Sequence, residues 1–205
     1  MYKCLPVLFV VASSALWAQS GELWFSGGAS ILANRNIGSP FSDGQTSDVQ
    51  LGNGFRIGFR FDLNSAGHIG HEIQYAYNRT NFVDNTGTIL PDVGSAGTAI
   101  HQGGYNLLYY LRATKENSKV RPFATAGFQF SDFVLPASAG PQQGSSVRPG
   151  GNLGAGVKVR ISPLFAFRLD VREYVTGKPN WNGLLVNQTG PLYQTEISAG
   201  FGVYF

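Results

Sequence analysis

The feature that most constrains this chain is a two-residue alternation of apolar and polar side chains, repeated over eight separate segments. It is cleanest at the C-terminal end. Tyr193, Thr195, Ile197, Ala199, Phe201, Val203 and Phe205 share one face, and Gln194, Glu196, Ser198, Gly200, Gly202 and Tyr204 share the other. Successive side chains of a β-strand point to opposite sides, so a period of two marks a strand with one apolar and one polar or small surface. The pattern recurs over residues 23–33, 53–62, 69–79, 99–112, 121–133, 151–161 and 165–175. Residues 53–62, for example, set Phe55, Ile57, Phe59 and Phe61 against Arg56, Gly58, Arg60 and Asp62. Trp24 and Leu32 interrupt the polar face of the first segment. Glu173 interrupts the apolar face of the seventh, where it is expected to lie beyond the hydrocarbon zone or to mark a bulge. No segment carries a helical period, so the chain reads as all-β.

The connections alternate as well. Residues 63–68, 113–119 and 162–164 are short, whereas 34–50, 80–98, 134–150 and 176–191 are long and rich in turn-forming residues. Short turns on one rim and long loops on the other suit an up-and-down barrel in an outer membrane, and segments of about ten residues can cross a bilayer at a steep tilt. An even strand count puts both termini on the short-turn rim, which is read as the periplasmic side.

The same alternation would serve a secreted sandwich or a lipocalin-like barrel, with its apolar faces meeting in a dry core. Three features favour the membrane. Lys3, the apolar stretch Leu5–Val11 and the small residues Ser13, Ser14, Ala15 and Ala18 read as a secretory signal over residues 1–20, processed after Ala18 or Ser20. Charged residues are only 13%, about half the share of a soluble domain, while aromatics also reach 13%. Glycines such as Gly58, Gly154 and Gly156 fall on polar faces, where they leave room for long side chains across a narrow lumen. The expected fold is an eight-stranded antiparallel up-and-down transmembrane β-barrel over residues 21–205, with no second domain.

Composition excludes several chemistries. Cys4 is the only cysteine and lies in the signal, so the mature chain has no disulfide, thiolate metal site or cysteine nucleophile. The net charge of +3 is spread without a Lys/Arg run, and nucleic acid is not an expected partner. The longest later apolar run, Leu107–Leu111, is far too short for a spanning helix. His71 and Glu72 point to opposite faces of a strand and cannot easily share an ion, with His68 nearby. His101 with a loop serine such as Ser95 is the nearest approach to a lipid-modifying pair, without diagnostic spacing. No phosphate-cradling loop, zinc motif or nucleophile elbow is present. No catalytic residue, metal or cofactor is expected.

The polar faces carry the informative residues. Arg56, Arg60, Glu72, Lys158, Arg160, Arg168, Asp170, Arg172 and Glu196 are expected to form an ionic network in the lumen, with Asp62 also pointing inward. Buried charges persist only when paired and hydrogen-bonded. Arg60 and Glu72 flank one short turn and Lys158 and Asp170 another, so each pair is expected to meet across neighbouring strands. Such a network would plug the periplasmic half of the barrel. The rival reading is a narrow pore with a weak anion preference, because basic inward residues outnumber acidic ones.

The terminal run Phe201-Gly202-Val203-Tyr204-Phe205 resembles the C-terminal signature of bacterial outer-membrane barrels, an aromatic end with apolar residues at alternate positions before it. In that family the last strand is read by the barrel-assembly machinery. The resemblance therefore implies that Phe201, Val203 and Phe205 form an assembly signal and that the machinery is a partner. Residues 21–205 as a whole look like the small OmpA/OmpX-like barrels of the outer membrane protein β-barrel domain family. This implies an integral outer-membrane protein in contact with outer-membrane lipid. Four long loops on a rigid barrel point to a non-enzymatic structural or surface-interaction platform, with an extracellular ligand a candidate partner through those loops. The alternatives are a small porin-like channel and, more distantly, an envelope-lipid-modifying enzyme. The sequence stops at the barrel, so peptidoglycan anchoring by a further domain is not expected. Pro40-Phe41, Phe82-Val83, Leu135-Pro136 and Trp181 are apolar loop elements that would either touch a partner or pack on one another.

Overall fold

The computed structural model describes residues 18–113, 118–139 and 144–205. The signal reading lies outside the described residues except for Ala18–Ser20, which begin the first strand. The strands are β1 (Ala18–Ala33), β2 (Asn36–Gly38), β3 (Val49–Leu51), β4 (Gly54–Ser65), β5 (Ile69–Asp84), β6 (Ser95–Tyr110), β7 (Val120–Val134), β8 (Ser145–Arg160), β9 (Phe165–Thr176) and β10 (Leu192–Tyr204). Eight of them form the wall, in the order β1-β4-β5-β6-β7-β8-β9-β10, and the antiparallel β1–β10 pair closes the ring. Closure leaves no wall strand with a free edge in lipid, where an unpaired backbone group would cost several kcal/mol. The short strands β2 and β3 lie outside the ring and continue from the upper part of β5.

The burial pattern decides between membrane and soluble readings. Glu72 is 0% exposed, whereas Ile73 beside it is 61% exposed. The same inversion runs along β9, where Arg168, Asp170 and Arg172 are buried and Phe167, Leu169 and Val171 face out. A protein with charged residues inside and an apolar belt outside has lipid as its solvent.

Several boundaries differ from the sequence reading. Residues 80–84 and 95–98, read as loop, continue β5 and β6 as a hairpin above the wall. β4 stops pairing with β5 at Arg79 and β7 stops pairing with β6 at Ala99, so this hairpin stands clear of the ring. β8 starts at Ser145, so residues 145–150, expected to end the 134–150 loop, belong to the strand. No bulge occurs at Glu173, whose register is continuous with both neighbours and whose carboxylate accepts a bond of 2.6 Å from Thr195 Oγ1. Trp24 and Leu32 are inward residues and both are buried. Gly202 makes room for the first of them: a Cβ there would overlap the indole ring.

Candidate functional site: the barrel lumen

The inward side chains stack in layers from the terminal rim toward the long loops. Nearest the termini, Glu22 accepts bonds from Asn64 Nδ2 (2.7 Å), Trp24 Nε1 (3.0 Å), Arg121 Nη1 (3.3 Å) and Lys158 Nζ. Lys158 also reaches Asp62 Oδ2 at 2.5 Å and Tyr110 Oη at 2.7 Å. The arrangement is dense because Lys158, Arg168 and Trp24 share one level, with the indole ring 5.2 Å from the ammonium and 5.6 Å from the guanidinium.

In the next layer, Glu72 is held by two arginines. Arg168 Nη2 donates to Oε2 at 2.6 Å, and Arg172 donates to both oxygens at 2.7 and 3.1 Å. Asp170 bonds the same two arginines at 2.7 and 2.9 Å. Arg60 lies 3.9 Å from Glu72 and 3.8 Å from Asp170, and its stronger partner is Glu196. Glu196 also accepts from Tyr174 Oη at 2.6 Å and lies 3.1 Å from Arg56 Nε. Above this layer the charges give way to amides. Gln102 donates to Gln194 Oε1 at 2.9 Å, and Gln194 donates to Ser30 Oγ at 2.7 Å and Asn78 Oδ1 at 3.0 Å.

The network follows from the cost of burying charge. Each of these ions would be expensive alone in a dry lumen, and each is placed among opposite charges or polar donors. Several contacts cross the whole lumen. β4 and β8 are four places apart in the ring of eight, as are β5 and β9, and β1 and β7. Lys158–Asp62, Arg168–Glu72 and Arg121–Glu22 therefore tie opposite walls together.

Among the residues expected in the network, Arg56, Arg60, Glu72, Lys158, Arg168, Asp170, Arg172 and Glu196 are buried in the lumen. Arg160 is at its mouth on the terminal rim, half-buried over the Tyr204 ring at 4.6 Å. Lys158 does not pair with Asp170. The register sets Lys158 opposite Arg168, and its anions are Glu22 and Asp62. Glu22 and Arg121 are further members that the sequence reading passed over. Both lie at a strand's first turn of alternation, and counting back in steps of two from Trp24 and from Phe123 places them inward.

At the long-loop end the lining changes from polar to apolar. Leu32, Ile37, Leu51, Phe82, Ile100, Phe133, Leu135, Trp181, Leu185 and Leu192 belong to one buried apolar cluster. Trp181 packs edge-on against Phe82 with centroids 5.8 Å apart, and its Nε1 donates to the Phe133 carbonyl at 2.8 Å. Of the apolar loop elements singled out in the sequence, Phe82, Leu135 and Trp181 are thus spent on this cap. Phe41 is exposed.

The histidines are engaged elsewhere. His68 Nδ1 meets the Tyr110 carbonyl at 2.7 Å, His71 Nδ1 meets Tyr105 Oη at 2.5 Å, and His101 Nδ1 meets Tyr75 Oη at 2.7 Å. His101 and Ser95 are six residues apart on β6, about 20 Å, and do not form a pair. Among the described residues no three His, Cys, Asp or Glu side chains converge as a metal site.

The model of the outer membrane protein beta-barrel domain family matches residues 5–205. The chain belongs to that family. It is an outer-membrane β-barrel protein. Neisserial surface protein A (NspA) has a solved structure that is 16% identical, with a TM-score of 0.57 over 91% of this chain and 97% of that one. Outer membrane protein AlkL, solved in DMPC bilayers, is 11% identical, with a TM-score of 0.59 over 92% of each chain. The N-terminal β-barrel domain of Pseudomonas aeruginosa OprF is 13% identical, with a TM-score of 0.51 over 91% of this chain and 97% of that one. At these identities the likeness is one of fold. No curated protein matches the sequence.

At the C-terminus of this outer-membrane barrel, Phe201, Val203 and Phe205 all point outward. Phe201 stacks on Phe165 at 5.3 Å and Phe205 on Phe61 at 6.1 Å. Two backbone bonds of 3.0 Å between Phe205 and Gly21 bring the last residue against the first strand.

Proposed function

We propose that this protein is a non-enzymatic, non-conducting barrel that holds its loops as a rigid platform outside the cell. In this reading the termini and short turns face the periplasm. Phe201, Val203 and Phe205 serve as the assembly signal, and residues 1–20 are removed on export. The observations that support it are two packed layers in the lumen. A cross-braced ionic network spans its middle and a buried apolar cluster lies at its loop end, and we read the two together as a double closure. An ion passing through would have to displace paired charges and then cross a dry, apolar constriction.

The loops also suit a platform. Ser39 and Val186 form a β-bridge between two of them, and Asn187 Nδ2 lies 3.0 Å from the carbonyls of both Ser42 and Gly44. Phe82 and Trp181 are turned into the cap, while Phe41, Val93 and Val186 are among the exposed apolar residues of the described loops. Loops fixed on a rigid scaffold commonly carry recognition.

The test is planar-bilayer recording of the refolded mature protein, with folding established first by heat-modifiable gel mobility. A folded barrel that stays silent supports the platform. Discrete, stable openings would replace it with a small channel whose functional site is the lumen network.

A further inference from the structure

The outward face of the wall is not uniformly apolar. On β5 and β6 the polar groups of Tyr75, His71, Tyr105 and His101 satisfy one another in pairs. One cation higher on the same face has no such partner. Arg79 is exposed and, among the described residues, takes part in no hydrogen bond or ion pair. Its guanidinium lies across Gly97 of the neighbouring strand, where a Cβ would overlap Nη2.

Beside it is a groove of about 470 Å³, lined by Arg79, Gly97, Ala99, Val134, Leu135 and Pro136 among others. The groove exists because β7 leaves β6 at the Ala99–Val134 pair, while β5 and β6 continue together to Val83–Ser95. Gly97 and Ala99 are small, Val134, Leu135 and Pro136 are apolar, and Thr98 and Ser145 add hydroxyls to the lining. Arg79 is ten residues above Ile69 on β5. At a rise of about 3.4 Å per residue and a tilt of about 40°, this is roughly 25 Å along the axis, the height of the apolar band of such barrels. The guanidinium therefore stands where hydrocarbon ends and lipid headgroups begin.

We propose that Arg79 and this groove bind the phosphate of an anionic lipid headgroup in the leaflet at the long-loop rim. A guanidinium keeps its charge at any physiological pH, and its planar fork matches two phosphate oxygens. The nearest outward carboxylate in the register, Asp132, is opposite His101 and makes no ion pair with Arg79. An incoming anion thus meets an uncompensated cation above a lane of small side chains that can receive the first part of an acyl chain.

Native mass spectrometry of the folded barrel in detergent tests this, with titrations of lipid A as the phosphorylated lipid and phosphatidylcholine as the zwitterionic one. The wild type should retain lipid A in preference, and Arg79→Gln should weaken that binding roughly tenfold, the loss of a charge-assisted contact. Gly97→Val should weaken it similarly while leaving the net charge unchanged, because it pushes aside only the flexible end of Arg79. Equal binding of lipid A by wild type and Arg79→Gln would overturn the proposal, as would equal binding of the two lipids. Complete displacement of lipid A by excess inorganic phosphate would also overturn it, by showing a site for the free anion. Should Gly97→Val fail to fold, Arg79→Gln alone decides.

Discussion

Glu72 and Arg172 face each other across the full width of the barrel, from β5 and β9, joined by two parallel hydrogen bonds of 2.7 and 3.1 Å. Glu72 is also an anion for Arg168 and lies near Arg60, so three guanidiniums gather around one carboxylate. Neutralising it leaves them with Asp170, Asp62 and Glu196, which are already engaged. Glu72→Gln should destabilise the barrel by about 3–5 kcal/mol, the usual cost of removing one partner from a buried ion pair. Urea unfolding in lipid vesicles measures this. The double variant Glu72→Gln with Arg172→Gln should recover part of the loss, because it removes a stranded charge along with its partner. A single variant as stable as the wild type would show that the network is dispensable to the fold.

The parity of the wall was legible in the sequence, because lipid on one side and a packed lumen on the other enforce the alternation strand by strand. The pairing inside was less so. A hairpin centred at residue 164 would make Lys158 and Asp170 partners, but the register pairs Lys158 with Arg168, two residues away. A shift of two keeps every side chain on its proper face, so hydrophobicity cannot detect it. The contacts across the lumen were invisible for another reason. Lys158–Asp62 and Arg121–Glu22 join strands that are never neighbours, and strand spacing says nothing about opposite walls. The apolar cap was half legible: Phe82, Leu135 and Trp181 stand out as apolar residues in stretches that read as loop, but which of them pack together is decided only by the closed ring.

A second prediction concerns acid. Asp84 ends the β5–β6 hairpin above the wall, where Oδ1 accepts from Thr86 N (2.9 Å) and Thr86 Oγ1 (2.7 Å). Its Oδ2 accepts from Ile89 N (2.7 Å) and Leu90 N (2.9 Å). Burial by itself would raise this carboxyl's pKa, but the bonds from Thr86, Leu90 and Ile89 outweigh it and hold the group below the usual carboxylate range. A depressed pKa in the folded state stabilises the turn fully above the unfolded value of about 4, and the contribution is lost as pH falls through the folded value. Amide exchange at Ile89 and Leu90 should therefore stay protected at neutral pH. After correction for intrinsic rates, protection should fall in strong acid while the wall strands remain protected. Asp84→Asn should remove most of that pH dependence. An unaltered acid profile in the variant would assign the effect to other groups.

The third prediction separates the two closures of the lumen. Trp181 fills the cap against Phe82 and ties the 177–191 connection to β7 through its bond to the Phe133 carbonyl. Trp181→Ala removes a large buried side chain and that bond together, a loss of about 3–5 kcal/mol of local packing. The connection should then be cut faster by protease in the folded barrel, because its anchor is gone. Conductance should nevertheless stay silent, since the ionic network beneath, from Arg56 and Glu196 down to Lys158 and Glu22, does not touch the cap residue. Measuring both on one preparation distinguishes the layers. Faster proteolysis with silent bilayers would place the permeability barrier in the charged layers. Discrete channels from Trp181→Ala alone would place it in the cap and show that ions can pass the braced charges once that seal is removed.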